Sequence, residues 1–185
     1  NCMELVKNIK QSKILKYVFL ALIGSIVLAI SSKIKIPFYP VPMTMQTFVV
    51  LFVGMAFGSK IGTAIVGLYL LEGILGLPVF SNSPERGVGL TYFTGPTMGY
   101  LIGFLFAAFL SGYYDYKKNI FIIFIKLISS VSVIYCLGLV WLGIVIGWNK
   151  PIFELGALPF LLAELFKILI LTILAKKIIK FRSLI

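Results

Sequence analysis

The segment "LPFLLAELFKILILTILA", residues 158 to 175, is apolar almost throughout, yet it carries Glu164 and Lys167. An acid and a base at positions i and i+3 of a helix share one face. Within a bilayer each charge costs about 2.5 to 3.5 kcal/mol on insertion scales. Two readings are open. The pair is an internal salt bridge whose lysine snorkels to the interface, or it lines an inward polar pocket. Pro159 starts the helix only a few residues upstream. Both charges then lie in the outer third of the membrane, and snorkelling toward the cytoplasm would have to cross most of the helix. A pocket near the outer surface is the better account of the two.

Other residues that could do chemistry gather toward the same side. Gln46, one turn into an apolar helix after "PVPMTM", offers a neutral hydrogen-bonding amide, and Glu72 lies near the outer end of the next span. Glu72 equally suits pairing with a loop lysine. "GLPVFSNSPERGVG" places Arg86 among small residues that let the chain turn tightly; Glu85 and Arg86 equally suit a solvated loop tip. In "FTGPTMGYLIGF" the glycines at 95, 99 and 103 leave one helix face without side chains, which suits close packing. Thr94 and Pro96 fit the start of that helix, and its free N–H groups favour anionic ligand groups. Ala21, Ser25 and Ala29 form a small-xxx-small stripe, a docking surface for a helix of this chain or of a partner.

The residues that are missing exclude whole classes of function. There is no histidine, and the two cysteines, Cys2 and Cys136, lack ligand spacing. No metal site, no histidine-dependent catalytic constellation and no disulfide is therefore expected. No G-x-x-x-x-G-K-[ST] motif is present, so the chain does not hydrolyse ATP by that route. The expectation is a protein that is not an enzyme and carries no cofactor. The net charge of +11 belongs to residues flanking apolar spans rather than to a nucleic-acid face.

These residues must be positioned by membrane spans. The mean hydropathy is +1.07 and 60% of the 185 residues are hydrophobic, far from the balance of a soluble domain. Six helical spans are predicted, over about 14–32, 44–57, 61–75, 95–113, 120–148 and 158–175. A span needs about 20 residues, and only closed hydrogen-bonding structures survive in lipid. Eleven basic residues fall on one side of these spans: Lys7, Lys10, Lys13, Lys16, Lys60, Lys117, Lys118, Lys176, Lys177, Lys180 and Arg182. Four (Lys33, Lys35, Arg86 and Lys150) fall on the other. The bias predicts that both termini are cytoplasmic. The organisation expected is a cytoplasmic segment 1–13, a membrane domain 14–177 and a basic tail 178–185. No cleavable signal is expected, and Asn1 and Cys2, ahead of Met3, suit a processing remnant.

In order along the chain, "IPFYPVPMTMQTFVVLFVGMAFGSKIG", "LGLPVF", "GPTMGYLIGF" and "LPFLLAELFKILI" resemble the BioY family. This family comprises the biotin-binding S components of energy-coupling factor (ECF) vitamin transporters. The resemblance spans roughly residues 15 to 177. It implies an all-α, six-helix bundle in the bacterial inner membrane that binds biotin from outside. Import would need an ECF transmembrane coupling protein and two cytoplasmic ATPases. It further implies a site in which Glu164 accepts from the ureido N–H groups. Lys167 or Arg86 would pair with the valerate carboxylate, and Asn82 and Gln46 would supply polar contacts. Phe80, Tyr92, Phe93 and Tyr100 would pack against the ring and tail. Helix-1 residues Ala21, Ser25 and Ala29 would dock the coupling protein. Two departures stand out: the family has Asp where Glu164 stands, and "SNSPERG" replaces a glycine-rich loop. An S component for thiamine or riboflavin is the alternative within transport; a membrane scaffold or enzyme is the alternative outside it.

Overall fold

The computed structural model describes the backbone of residues 2–117 and 119–184, and the side chains of 13–117 and 119–183. The expectations for Asn1 and Lys118 lie outside the described residues, as do those for the side chains of Cys2, Lys7 and Lys10.

Helix α1 (Cys2–Lys33) runs unbroken through the predicted boundary at residue 13. Its buried positions are Gly24, Ser25, Leu28, Ser31 and Ser32, whereas Phe19, Leu22, Ile26 and Ile30 are exposed. Small and polar side chains inside with large apolar ones outside invert the pattern of a soluble helix. That arrangement suits a helix with lipid on its outer face. After α1 comes a short hairpin, β1 (Lys35–Ile36) and β2 (Met43–Thr44), paired antiparallel with Lys35 opposite Thr44. The hydropathy pattern gave no sign of it, because two-residue strands leave no periodicity to read.

Helix α2 (Gln46–Ile74) is interrupted at Gly58, where φ is 78° and ψ 172°. Only glycine adopts this region readily. A Cβ on Gly62 would lie 2.7 Å from the Gly54 Cα, an approach two turns of continuous helix cannot give. The halves 46–57 and 59–74 therefore fold back on each other at a tight turn. Beyond the loop 75–89 and the short α3 (Leu90–Phe93), helix α4 (Met98–Tyr113) carries the glycine face. A Cβ on Gly103 would come within 2.7 Å of the Ile134 Cα. The missing side chains thus let α4 lie directly on α5 (Ile120–Ile146). Helix α6 (Ile152–Gly156) and a 3-10 turn, Leu158–Phe160, lead into α7 (Leu161–Ile178). A 3-10 turn, Ile179–Leu184, follows.

Among the described residues, four segments are long and apolar enough to cross a membrane: Lys13–Lys33, Gln46–Ile74, Ile120–Ile146 and Ile152–Ser183. Helix α4 is a shorter apolar helix, and α2 is a hairpin of two halves. The two ends of the bundle differ. At one end Arg182 donates from Nε to the Met55 carbonyl (2.8 Å) and from Nη2 to the Gly112 carbonyl (2.8 Å). The last turn thus caps two helix C-termini at once. At the other end three cations pin the loop 75–89. Lys33 Nζ donates to the Phe80 and Ser83 carbonyls, and Lys35 Nζ to the Ser81 carbonyl and Asn82 Oδ1. Arg86 Nη1 donates to the Pro40 carbonyl, with its guanidinium over the Tyr39 ring.

Candidate functional site

Glu164 sits in the first turn of α7, where the helix dipole favours a negative charge. Its carboxylate is divided in function. Oε1 accepts from Thr47 Oγ1 (2.8 Å) and from Lys167 Nζ (2.8 Å). Oε2 is buried and makes no close hydrogen bond among the described residues, while the Tyr135 side chain interacts with the same carboxylate. Lys167 also donates to the Thr44 carbonyl (2.7 Å) and to Thr47 Oγ1 (2.9 Å). An ammonium has three N–H donors, and all three are engaged within the chain. Glu164 and Lys167 are 5% and 7% exposed, so the pair is an internal salt bridge and a pocket group together. The two readings the sequence left open are parts of one arrangement. Lys167 and Thr47 fix one oxygen, tying α7 to β2 and the start of α2, and leave the other free to accept.

Glu164 lines a partly open cavity between the start of α2, the loop 75–89, α4 and α5. It is the one carboxylate among the lining residues, and no lysine or arginine is among them. The centre of a water-sized sphere can reach about 50 Å³ of it, room for roughly three to five waters. Gln46 is buried on the wall. Its Nε2 donates to Tyr69 Oη (2.7 Å), and its Oε1 accepts from Thr44 Oγ1 (3.3 Å). Ser81 Oγ is a second buried oxygen without a partner and belongs to the same lining. Tyr92 and Tyr100 supply aromatic wall, the latter fixed by its hydroxyl donating to the Gly156 carbonyl (2.8 Å).

Four of the residues picked out from sequence therefore meet at one cavity: Glu164, Gln46, Tyr92 and Tyr100. Lys167 stands behind Glu164. Phe80 lies behind Tyr92, stacked on it at 4.7 Å, and Phe93 packs edge-on against Phe80. Asn82 and Arg86 belong to the pinned loop 75–89 and do not line the cavity. Ser25 faces the bundle, whereas Ala21 and Ala29 are half-buried and Ala21 also lines an open groove beside Phe57 and Gly58. Ser25 is fully buried, and its Oγ donates to Glu72 Oε1 (2.9 Å). Ala21 and Ala29 pack against the core. A small residue at Ser25 lets α1 approach α2 at this point. Sequence reasoning missed Thr44, Thr47, Ser81 and Tyr135. No residue type or spacing marks a threonine or a tyrosine in an apolar helix as a wall group.

The comparisons with known proteins follow this geometry. A family model described as "BioY family" matches residues 6–183. The chain is 34% identical over 154 residues to "Biotin transporter BioY" of Thermotoga maritima, covering 83% of this chain and 89% of that one. It is 33% identical over 187 residues to "Probable biotin transporter BioY" of Lysinibacillus sphaericus, covering 95% and 92%. Among solved structures, the S-component for biotin from an ECF-type ABC transporter, a crystal structure at 2.1 Å, superposes with a TM-score of 0.75. The identity there is 26%, over 91% of this chain and 93% of the other.

Proposed function

The chain belongs to the BioY family, and from that premise we propose that it is the biotin-binding membrane subunit of a biotin-uptake system. One observation carries the reading. A buried carboxylate oxygen, Glu164 Oε2, is held without a close hydrogen bond in a largely apolar, aromatic cavity, with the unpartnered Ser81 Oγ on the same wall. Biotin's ureido ring brings two N–H donors and a carbonyl acceptor on an apolar bicycle. A donor on Oε2 is charge-assisted, and an acceptor or donor can meet Ser81. The cavity contains no cation, so the valerate carboxylate points toward the outer loops, with Arg86 as its partner after release from Pro40. The room for roughly three to five waters is less than the bicycle needs. Binding therefore includes an outward shift of the pinned loop 75–89 or of the hairpin.

The protein is a multi-pass membrane protein of a transporter family. In this reading the two halves of α2 and helix α4 each cross the membrane, giving six spans with both termini in the cytoplasm of a bacterial cell. Energy comes from partners, an ECF coupling protein and two ATPases, since this chain has no P-loop. Titration calorimetry of the purified protein with biotin, thiamine and riboflavin tests the substrate. One-to-one binding of biotin alone is expected. Heat with another vitamin and none with biotin would keep the transport class and overturn the ligand.

A further inference from the structure

The wall of the cavity on its α5 and α7 side includes two side chains, Glu164 and Tyr135, that also face a second space. Between α5 and α7 runs a second, larger space of about 240 Å³. Its walls are apolar, and its rim residues Ile128, Leu161 and Leu165 are each more than a third exposed. They lie on two of the segments apolar enough to span a membrane, so this cleft opens to acyl chains. The cavity and the cleft share two lining residues, Glu164 and Tyr135. A carboxylate oxygen facing hydrocarbon without a partner is costly, so something must screen it from the lipid side.

We propose that Tyr135 is a specificity-determining residue, the partition that closes the ligand cavity on its Glu164 side against a lipid-facing cleft. Its ring is held in place rather than free. Tyr100 meets it edge-on at 5.9 Å, and Phe160 lies against it at 6.4 Å. Tyr100 is itself fixed by its bond to Gly156 and fits where Gly138 has no side chain. This wall is therefore a side chain held by side chains, not backbone. Removing it joins a small cavity to a large apolar cleft without breaking a helix. What Tyr135 excludes is any ligand with an alkyl group on the edge that faces Glu164. The inference rests on the biotin reading, in which that edge is the ureido ring.

The test measures binding of biotin and of a derivative alkylated on one ureido nitrogen, with the protein in lipid nanodiscs. Wild type is expected to favour biotin by about a hundredfold or more, since a closed wall rejects added bulk. Tyr135→Ala is expected to narrow that ratio by about tenfold or more, because the alkyl group then enters the cleft. Val131→Ala, which lines the cleft but not the cavity, should leave the ratio unchanged. If Tyr135→Ala weakens both ligands equally, the ring is merely structural and the proposal falls. A second measurement needs no ligand. Tyr135→Trp in vesicles containing brominated acyl chains should show quenching beyond that of Trp141 and Trp148. Absence of that added quenching overturns the partition. If wild type fails to bind biotin while the added quenching is seen, the substrate reading fails and the partition stands.

Discussion

Glu164 presents an oxygen, Oε2, that makes no close hydrogen bond among the described residues, and its neighbours hold the carboxylate so that this oxygen stays available. Thr47 and Lys167 both bind Oε1, which holds the carboxylate in one orientation and leaves Oε2 for an incoming donor. Glu164→Gln keeps the shape but removes the charge. It also brings an amide N–H₂ either toward the Lys167 ammonium or toward the ligand's own N–H. The expected loss of biotin affinity is about 2 to 5 kcal/mol, the usual cost when one partner of a buried charged bond is lost. Calorimetry reads it directly, and an affinity within about threefold of wild type would remove Glu164 from the site. Lys167→Ala acts differently. With its three donors engaged by Thr44, Thr47 and Glu164, Lys167 positions the carboxylate rather than meeting the ligand. Biotin and biotinamide, which differ in tail charge, should weaken by similar factors. A loss confined to biotin would make Lys167 the partner of the valerate carboxylate after all. At this scale the sequence revealed residues whose presence in hydrocarbon demands a reason: Glu164, Lys167 and Gln46. It concealed Thr47, because a serine or threonine hydroxyl on a helix can satisfy itself on a backbone carbonyl, and it concealed Ser81 and Tyr135, whose types are ordinary in a loop and in an apolar helix. Ser31 and Thr172 do so here.

Among the elements, the predicted spans coincide with apolar helices, since about 20 consecutive apolar residues carry a strong signal. The break between the second and third spans, read from "GSK", is the turn at Gly58. Nothing lies within 4 Å of a Cβ placed there, and φ is +78°. The cost of Gly58→Ala is therefore backbone strain alone, about 1 to 3 kcal/mol. Thermal unfolding in detergent measures it, and an unchanged midpoint would mean that the two halves of α2 do not need this conformation. The glycine face of α4 was read as helix packing, and Gly103 against Ile134 has that geometry. Harder to foresee was the pinned loop 75–89. Its pins are lysines and an arginine donating to the carbonyls of Phe80, Ser81, Ser83 and Pro40. A carbonyl acceptor leaves no trace in a sequence. Because Lys35 and Asn82 bind each other, Lys35→Ala should loosen the loop and raise both the association and the dissociation rate of biotin. Stopped-flow binding distinguishes this from a change in dissociation alone, the result expected if Lys35 contacted the ligand.

For the molecule as a whole, function depends on which end faces out, and charge and architecture bear on that independently. The end with the Gly58 turn and the Arg182 cap carries most of the basic residues, including Lys60, Lys176, Lys177 and Lys180. The end with the hairpin, the pinned loop and Glu164 has few. Basic flanks are retained on the cytoplasmic side, so the ligand cavity should open outward. This orientation is also the one that uptake requires, since biotin must reach Oε2 before any ATPase partner acts. Single cysteines placed at the two ends test it, in a background with Cys2 and the exposed Cys136 of α5 both replaced by serine. Tyr39 is 79% exposed beside the hairpin, and Ser183 is exposed in the last turn beside Arg182. A membrane-impermeant maleimide should label Tyr39→Cys in intact cells, and Ser183→Cys only after the membrane is opened. The reverse pattern would place Glu164 nearer the cytoplasm and turn the same site from one that captures biotin into one that releases it. Labelling of Tyr39→Cys should fall when biotin is present if the hairpin is part of the cover over the cavity. Protection absent from a protein that still binds biotin would assign the cover to the loop 75–89 alone.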